Sequence, residues 1–171
     1  MIKKIGIIGA MEEEVTALRE KLADGKMLRK ASMDFYSGTF NGVEAVVVRS
    51  GIGKVNAGIC TQILADIYGV DAVINTGIAG SLKAEINIGD IVISTDALQH
   101  DMDATGFGYE PGVIPRMEIS CFRADAELVE KARAACEEAV PGIQVFTGRV
   151  VSGDQFISDK KVKARIIGQF G

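Results

Sequence analysis

Three consecutive carboxylates, Glu12, Glu13 and Glu14, follow the apolar run Ile5-Gly6-Ile7-Ile8-Gly9-Ala10 and one methionine, Met11. The run reads as a buried strand, and Gly9-Ala10 lets the chain turn tightly out of it. The acids then open a helix beside the carboxyl end of a strand, where open α/β sheets place their ligands. A phosphate-binding loop needs basic or neutral groups there. Three acids point instead to a site that keeps anions out and needs a base. Acids in a first helical turn are also favoured by the helix dipole alone, so the cluster has a purely stabilising explanation as well. Helical geometry separates the three. At about 100° per residue, Glu13 points away from the stripe formed by Met11, Val15, Leu18 and Leu22, whereas Glu12 and Glu14 flank that stripe on opposite sides. Geometry removes Glu13 and prefers Glu14 to Glu12 only slightly.

Two further glycine turns follow apolar strands in the same way: Ser50-Gly51-Ile52-Gly53-Lys54 and Thr76-Gly77-Ile78-Ala79-Gly80-Ser81. One such turn is ordinary chain reversal. Three, with the acids, suggest that several strand ends line one crevice. Gly51-Ile52-Gly53-Lys54 is not a P-loop, because the full spacing is missing and Val55 stands where a magnesium-binding hydroxyl belongs. Gly6-Ile7-Ile8-Gly9 lacks dinucleotide-binding spacing. His100, the only histidine, neighbours Asp101 and Asp103. With no second histidine or nearby cysteine to complete a metal set, it reads as structural. Ser152-Gly153-Asp154 lacks a nucleophile elbow and a placed histidine. Phe107, Tyr109 and Phe156 fall on loops, where aromatics serve ligands about as often as packing.

These groups need elements to hold them. The pattern predicts a strand over Lys3–Gly9 and a helix from Met11 to about Ala23. A hairpin follows, Phe35–Phe40 and Glu44–Arg49, turned at Asn41-Gly42. A helix over Val55–Tyr68 carries Ile59, Ile63, Leu64 and Ile67, and a short strand covers Asp71–Asn75. A strand over Gly89–Ser94 leads to an unpatterned loop, His100–Met117, of the length that is usually functional. A helix over Ala124–Ala139 turns Leu128, Val129, Ala132 and Cys136 inward, and a strand covers Gln144–Val151. Ser158 or Asp159 caps a last helix to Phe170. Strands alternating with helices, plus a hairpin, give a mixed sheet covered by helices, in a single domain over residues 1–171.

Composition narrows the function classes. The chain has 171 residues, 47% hydrophobic and 25% charged, with a net charge of −4, which fits a globular protein. There is no basic run and aromatics are only 6%, so nucleic acid is not an expected partner. No apolar stretch is long enough to cross a bilayer, and the N-terminus has no secretory signal pattern. Three widely spaced cysteines, Cys60, Cys121 and Cys136, fit reduced cytoplasmic thiols.

The run Gly6-Ile7-Ile8-Gly9-Ala10-Met11-Glu12-Glu13-Glu14-Val15 closely resembles the opening of bacterial 5′-methylthioadenosine/S-adenosylhomocysteine nucleosidases. Ser50-Gly51-Ile52-Gly53-Lys54-Val55, Asn75-Thr76-Gly77-Ile78-Ala79-Gly80 and Val151-Ser152-Gly153-Asp154-Gln155-Phe156-Ile157 resemble that family's motifs, in its order and over nearly the whole chain. The resemblance implies the three-layer α/β/α fold of nucleoside phosphorylases, with a central mixed sheet, in a cytoplasmic homodimer. It implies hydrolysis of the N-glycosidic bond of adenine thionucleosides to adenine and a thioribose, in methionine salvage and methyl-cycle by-product removal, with no metal or organic cofactor. It assigns the catalytic base to Glu14. Met11 is implied near the ribose. Ile52, Ile78, Ala79 and Gly80 are implied to line the pocket, Phe156 to stack on adenine and the Ile157 backbone to bond the purine edge. Ala104, Phe107 and Pro115 match positions that reach the neighbouring subunit's pocket. Ile78 departs from the serine of some relatives.

The family also leads to an expectation about length. Its members continue past Gly171 by about another quarter, with a last strand and helix, a Met-Glu pair for the ribose hydroxyls and a Ser-Asp pair for the purine. Asp154 does not match the purine acid, so no residue here takes that role. The 171-residue polypeptide alone is therefore expected to turn over little substrate. It reads as a piece of an active nucleosidase in preference to a catalytically incompetent nucleoside-binding remnant. A purine nucleoside phosphorylase or a futalosine hydrolase is the alternative activity.

Overall fold

The computed structural model describes residues 2–171, which divide into two compact units meeting in sequence at Ala79 and Gly80. Both are α/β, with mixed sheets and packed helices.

The first unit contains β1 (Lys4–Gly9), α1 (Glu12–Glu20), β2 (Ala23–Lys30), β3 (Met33–Phe40), β4 (Val43–Arg49), α2 (Lys54–Asp66) and β5 (Ala72–Asn75). Its five strands run in the order β2-β3-β4-β1-β5. β1 pairs in parallel with β4 and β5, and the β2-β3-β4 meander is antiparallel. Parallel strands covered on both faces read as continuous apolar runs, and Ala45, Val46, Val47 and Val48 are all buried. Val46 and Val48 share a core with Ile8, Met33, Phe35, Cys60 and Leu64, so α2 covers that face. Val47 points to the other face, where α1 sits with buried Val15. Gly6 allows α2 to approach: a Cβ there would lie 2.9 Å from a Leu64 methyl. Phe35 and Tyr68 stack with ring centroids 5.5 Å apart. Burial pushes the Cys60 thiol up to about 11, so it stays protonated.

An ion-pair network fixes the start of α1. Glu12 accepts a 2.6 Å bond from Arg19, one face along the helix, and lies 3.5 Å from Arg49 at the end of β4. Thr16 donates to the same carboxylate at 3.3 Å, and the Arg19 guanidinium lies 5.0 Å from the centre of the Tyr36 ring. The Arg19 hydrogen bond, supported by Thr16 and Arg49, holds the Glu12 carboxyl below the usual glutamate range.

The second unit contains β6 (Ile91–Gln99), a 3-10 turn (Thr105–Phe107), β7 (Cys121–Arg123), α3 (Ala126–Ala139), β8 (Val145–Ser152) and α4 (Lys160–Phe170). Its sheet runs β7-β6-β8, with β6 antiparallel to β7 and parallel to β8. Leu98, Ile166 and Phe170 form its core, flanked by Leu82, Val151, Ile157 and Val162. Asp159 caps α4, as expected, by accepting from Lys161 N at 2.7 Å and Val162 N at 3.0 Å. Arg149 pairs with Asp96 at 2.6 Å and donates to the Phe170 carbonyl at 3.1 Å, tying the end of α4 to the sheet.

Several sequence expectations change. α1 ends at Glu20, and Ala23–Lys30 is an edge strand rather than part of a helix or loop. All eight of its residues are exposed, so it has no alternation to reveal it. On α2, Ile59 and Ile67 are exposed, and Cys60, Ile63 and Leu64 face the core. On α3, Ala132 is exposed while Leu128, Val129 and Cys136 are half-buried. β6 runs on to Gln99.

Two outcomes follow from this packing. Leu64→Ala leaves a cavity under β1 and lowers stability by about 2–5 kcal/mol, read as a drop in the denaturant midpoint. Glu12→Gln costs about 0.5–1 kcal/mol at neutral pH, a modest figure because the pair is partly solvated. Glu12 has a depressed pKa in the fold, so its contribution is present above the unfolded value of about 4.3 and is lost as pH falls through the folded one. Wild-type and Glu12→Gln stabilities measured against pH therefore converge in acid. A gap that persists at low pH would rule out the ion-pair explanation.

Candidate active site

Because β1, β4 and β5 are parallel, their carboxyl ends lie along one edge of the first unit's sheet. The three glycine turns all leave from that edge, as the sequence pattern suggests. Ser50 N donates to the Gly9 carbonyl at 2.9 Å and Thr76 N to the Ile8 carbonyl at 2.9 Å, so the turns are laced together. Ser50 is buried, with its hydroxyl bonded to the Gly51 carbonyl at 2.8 Å. Gly51 and Gly53 have φ of 83° and 102°, values that favour glycine.

The structure gives the three acids different surroundings. Glu13 is exposed. Glu12 turns toward Arg19 of its own helix and Arg49 at the end of β4. Glu14 turns the other way, toward β5, and is half-buried. Its Oε2 accepts from Ala10 N at 2.7 Å and Met11 N at 2.9 Å, and its Oε1 accepts from Ile78 N at 3.1 Å. Each carboxylate oxygen has two lone pairs. Oε2 uses both on these bonds, whereas Oε1 keeps one for a water or a substrate hydroxyl. Two glycines allow the approach. A Cβ on Gly77 would fall inside contact distance of Oε1, and one on Gly9 would lie 2.6 Å from Val15 and 2.9 Å from the Glu14 Cβ.

Met11, half-buried, stands at this edge as the residue before α1. Ile52 and Ile78 extend from the β4 and β5 ends with 76% and 84% of their surface exposed, a large apolar area for a folded chain to leave open. Ala79 is also exposed. Thus Met11, Glu14, Ile52, Ile78 and Ala79 share one sheet edge.

The remaining candidates belong to the second unit. At Gly80, its first residue, an added Cβ would meet nothing within 4 Å. Phe156 is 95% exposed, and it lines a hollow of about 370 Å³ with Gln155, Ile157, Ser158, Asp159 and Val162. The Ile157 side chain packs on the Leu98–Ile166–Phe170 core, which anchors this segment beside Phe156. Ala104 is buried and receives Phe107 N at 2.9 Å, closing the turn that holds Phe107 outward at 87% exposure. Pro115 is half-buried in the same loop. His100 has a positional role: its ring fills the space above Gly153, where a Cβ would collide with Nε2. Asp101 Oδ2 accepts from Asp154 N at 2.9 Å. Together they clasp the turn that leads into Phe156. Among the described residues, no three His, Cys, Asp or Glu side chains are grouped to hold a metal ion.

Sequence reasoning missed the parts of these arrangements that depend on distant contacts. Gly77 was legible as a turn residue but not as the space for a carboxylate, and Asp101 carried no signal for its bond to Asp154.

Comparison with known proteins places the chain. The sequence model of the Phosphorylase superfamily matches residues 4–171. A 5′-methylthioadenosine/S-adenosylhomocysteine nucleosidase from Exiguobacterium is 46% identical over 167 residues, covering 98% of this chain and 71% of the relative. Two crystal structures of such nucleosidases superpose with a TM-score of 0.94. The Colwellia psychrerythraea enzyme, in complex with adenine, is 41% identical and is matched over 99% of this chain and 70% of its own. The Neisseria meningitidis enzyme, in complex with methylthio-immucillin-A, is 38% identical, with 99% and 72% coverage. Matched over nearly its whole length by the superfamily model and by these relatives, the chain belongs to the 5′-methylthioadenosine/S-adenosylhomocysteine nucleosidase family of the phosphorylase superfamily.

Proposed function

We propose that the protein hydrolyses the N-glycosidic bond of 5′-methylthioadenosine and S-adenosylhomocysteine, releasing adenine and the corresponding thioribose. The observation that carries this reading is the Glu14 carboxylate, oriented by three backbone N–H groups at the sheet edge with a lone pair of Oε1 left open. The relatives' complexes with adenine and with methylthio-immucillin-A support this choice of ligand class.

Glu14 takes a proton from water as that water attacks the anomeric carbon. The ribose carries positive charge as the bond to adenine breaks, and the nearby carboxylate stabilises that charge. Protonation at purine N7 makes adenine a better leaving group. The outcome parallels inverting glycoside hydrolysis, with a purine in place of the sugar leaving group. Met11, Ile52, Ile78, Ala79 and Gly80 supply the apolar and backbone lining. Phe156 offers a free ring face to adenine, and the anchored Ile157 presents its backbone to the purine edge. Ala104, Phe107 and Pro115 serve the pocket of a second copy in a homodimer, and Phe107 is held outward in a way that suits this. The reading assigns no metal or organic cofactor and places the protein in the cytoplasm. Among the described residues, no helix is long and apolar enough to cross a membrane.

The assays use the protein at its natural length, fixed by intact mass. Adenine release from methylthioadenosine should not depend on phosphate, and the sugar product should be the free thioribose. A sugar 1-phosphate would make it a phosphorylase. Glu14→Gln lowers kcat by about 10²–10⁴-fold, the range for a lost general base, while substrate binding stays near wild type. Retained turnover would remove Glu14 from the base role. Phe156→Ala raises KM roughly tenfold, in line with about 1–3 kcal/mol for stacking a base on an aromatic ring, with a smaller effect on kcat. An unchanged KM places adenine elsewhere.

A further inference from the structure

β6 and β8 run in parallel and end level, with Gln99 opposite Ser152, so the chain leaves the second unit's sheet at two adjacent points. His100 N donates to the Ser152 carbonyl at 2.9 Å, which carries the pairing one residue past the strands. The segment after β6 is built into the core. Met102 N returns to the Gln99 carbonyl at 3.4 Å, and the Met102 carbonyl accepts from Gly112 N at 2.9 Å. Gly112 in turn lies against Phe170 and Leu98, where a Cβ would come within 2.9 Å of the Phe170 ring. The segment after β8 carries Phe156, whose ring is 95% exposed and takes no direction from packing. Its direction is set by the backbone on either side. Beyond Phe156 the anchors are the Ile157 side chain in the core and the Asp159 cap of α4. Before it, Asp101 Oδ2 accepts from Asp154 N at 2.9 Å and ties the turn to the firm segment after β6. Gly153 lets the two segments come this close, since a Cβ there would lie 3.1 Å from the Asp101 carboxyl carbon.

We infer that Asp101 is a positioning residue for adenine recognition: it fixes the turn at Asp154 so that the Phe156 ring is held ready for a purine. Asp101 touches no substrate in this role and acts through one backbone hydrogen bond. A ring on a loose segment has to be ordered when the base binds, and that cost appears as weaker binding. A ring ordered beforehand avoids it. The acceptor oxygen sets the geometry, and its charge strengthens the bond. Asparagine at 101 therefore keeps the tie in weaker form, whereas alanine or serine loses it. Ile157 has its own anchor in the core, so the ring is the part that depends on Asp101. The effect on adenine rests on the stacking role proposed for Phe156; the hold on the turn does not.

The test cuts the tie in the protein at its natural length. Asp101→Ala should raise KM for methylthioadenosine, and the Kd of adenine alone measured by calorimetry, by about three- to tenfold, with a smaller effect on kcat. Amide exchange at Asp154 and Phe156, read by NMR, should quicken in the same variant. Asp101→Asn should stay closer to wild type in all three. If Asp101→Ala does not fold, Asp101→Ser, whose hydroxyl is too short to reach Asp154 N, replaces it. In a Phe156→Ala background the same substitution should add less than about twofold to KM, because no ring is left to position. A merely structural residue would add the same factor in both backgrounds, and that result would overturn the inference. So would faster exchange in Asp101→Ala with KM and the adenine Kd unmoved, or an Asp101→Asn as impaired as Asp101→Ala. If wild type releases no adenine from methylthioadenosine while Asp101→Ala still weakens adenine binding, the proposed reaction falls and the positioning role stands.

Discussion

The bond pattern around Glu14 ties the first unit's architecture to its chemistry. A carboxylate that accepts from Ala10 N, Met11 N and Ile78 N has its position set by the backbone of two strand ends, not by the rotamers of neighbouring side chains. Backbone donors at a sheet edge move little, so the open lone pair on Oε1 keeps a fixed direction. That is the condition general-base catalysis sets: the base must lie within hydrogen-bond reach of one particular proton. The parallel register carries the arrangement. Ile8 pairs with Asn75, so the turns after β1 and β5 start level with each other. A slip of one residue would invert the faces and send the Glu14 donors apart.

The packing beneath this edge follows from the same constraint. α1 must lie close enough to β1 for a glutamate in its first turn to reach back to the turn and across to β5. Gly9 makes that possible, since Val15 and the Glu14 Cβ occupy the space that a side chain at 9 would need. Gly6 makes the matching concession on the opposite face, where Leu64 of α2 presses on β1. The strand is thus thinned by glycine on both sides, for a helix on one face and a core leucine on the other. Elsewhere the sheet keeps bulk, with Val46, Val47 and Val48 buried in succession on β4.

What could be read from sequence and what could not follows the range of the interactions. β1, the Asn41-Gly42 hairpin and the Asp159 cap depend on neighbours within a few residues, and all were legible. So were the opposite flanks of Glu12 and Glu14, which need only the helical angle. β2 was not, because an edge strand with both faces in water has no apolar period. Its register comes from β3 alone. The partners of Glu12 and Glu14 divide in the same way. Arg19 lies seven residues along the same helix, but Arg49 and Ile78 reach the acids only through the sheet, and no local pattern announces them. The family motifs marked the turns containing these residues, yet gave no reason why glycine stands at 77. The space taken by the Glu14 carboxylate supplies that reason.

Two glutamates separated by one residue show how surroundings divide the roles. Glu12 faces two guanidiniums, with Arg19 bonded at 2.6 Å and Arg49 at 3.5 Å, and its proton affinity falls accordingly. Its charge is spent on holding α1 against β4. A carboxylate so paired is a poor base for water, because taking a proton would also sacrifice two ion pairs. The bonds that hold Glu14 come from neutral backbone dipoles, which orient a carboxylate without cancelling its charge. Its negative charge is therefore still available to a cationic sugar, and one oxygen still has an open lone pair. Exchanging the two environments would leave the sequence pattern of three acids intact and the chemistry lost. The distinction between a strut and the proposed base lies in the partners that each side chain meets.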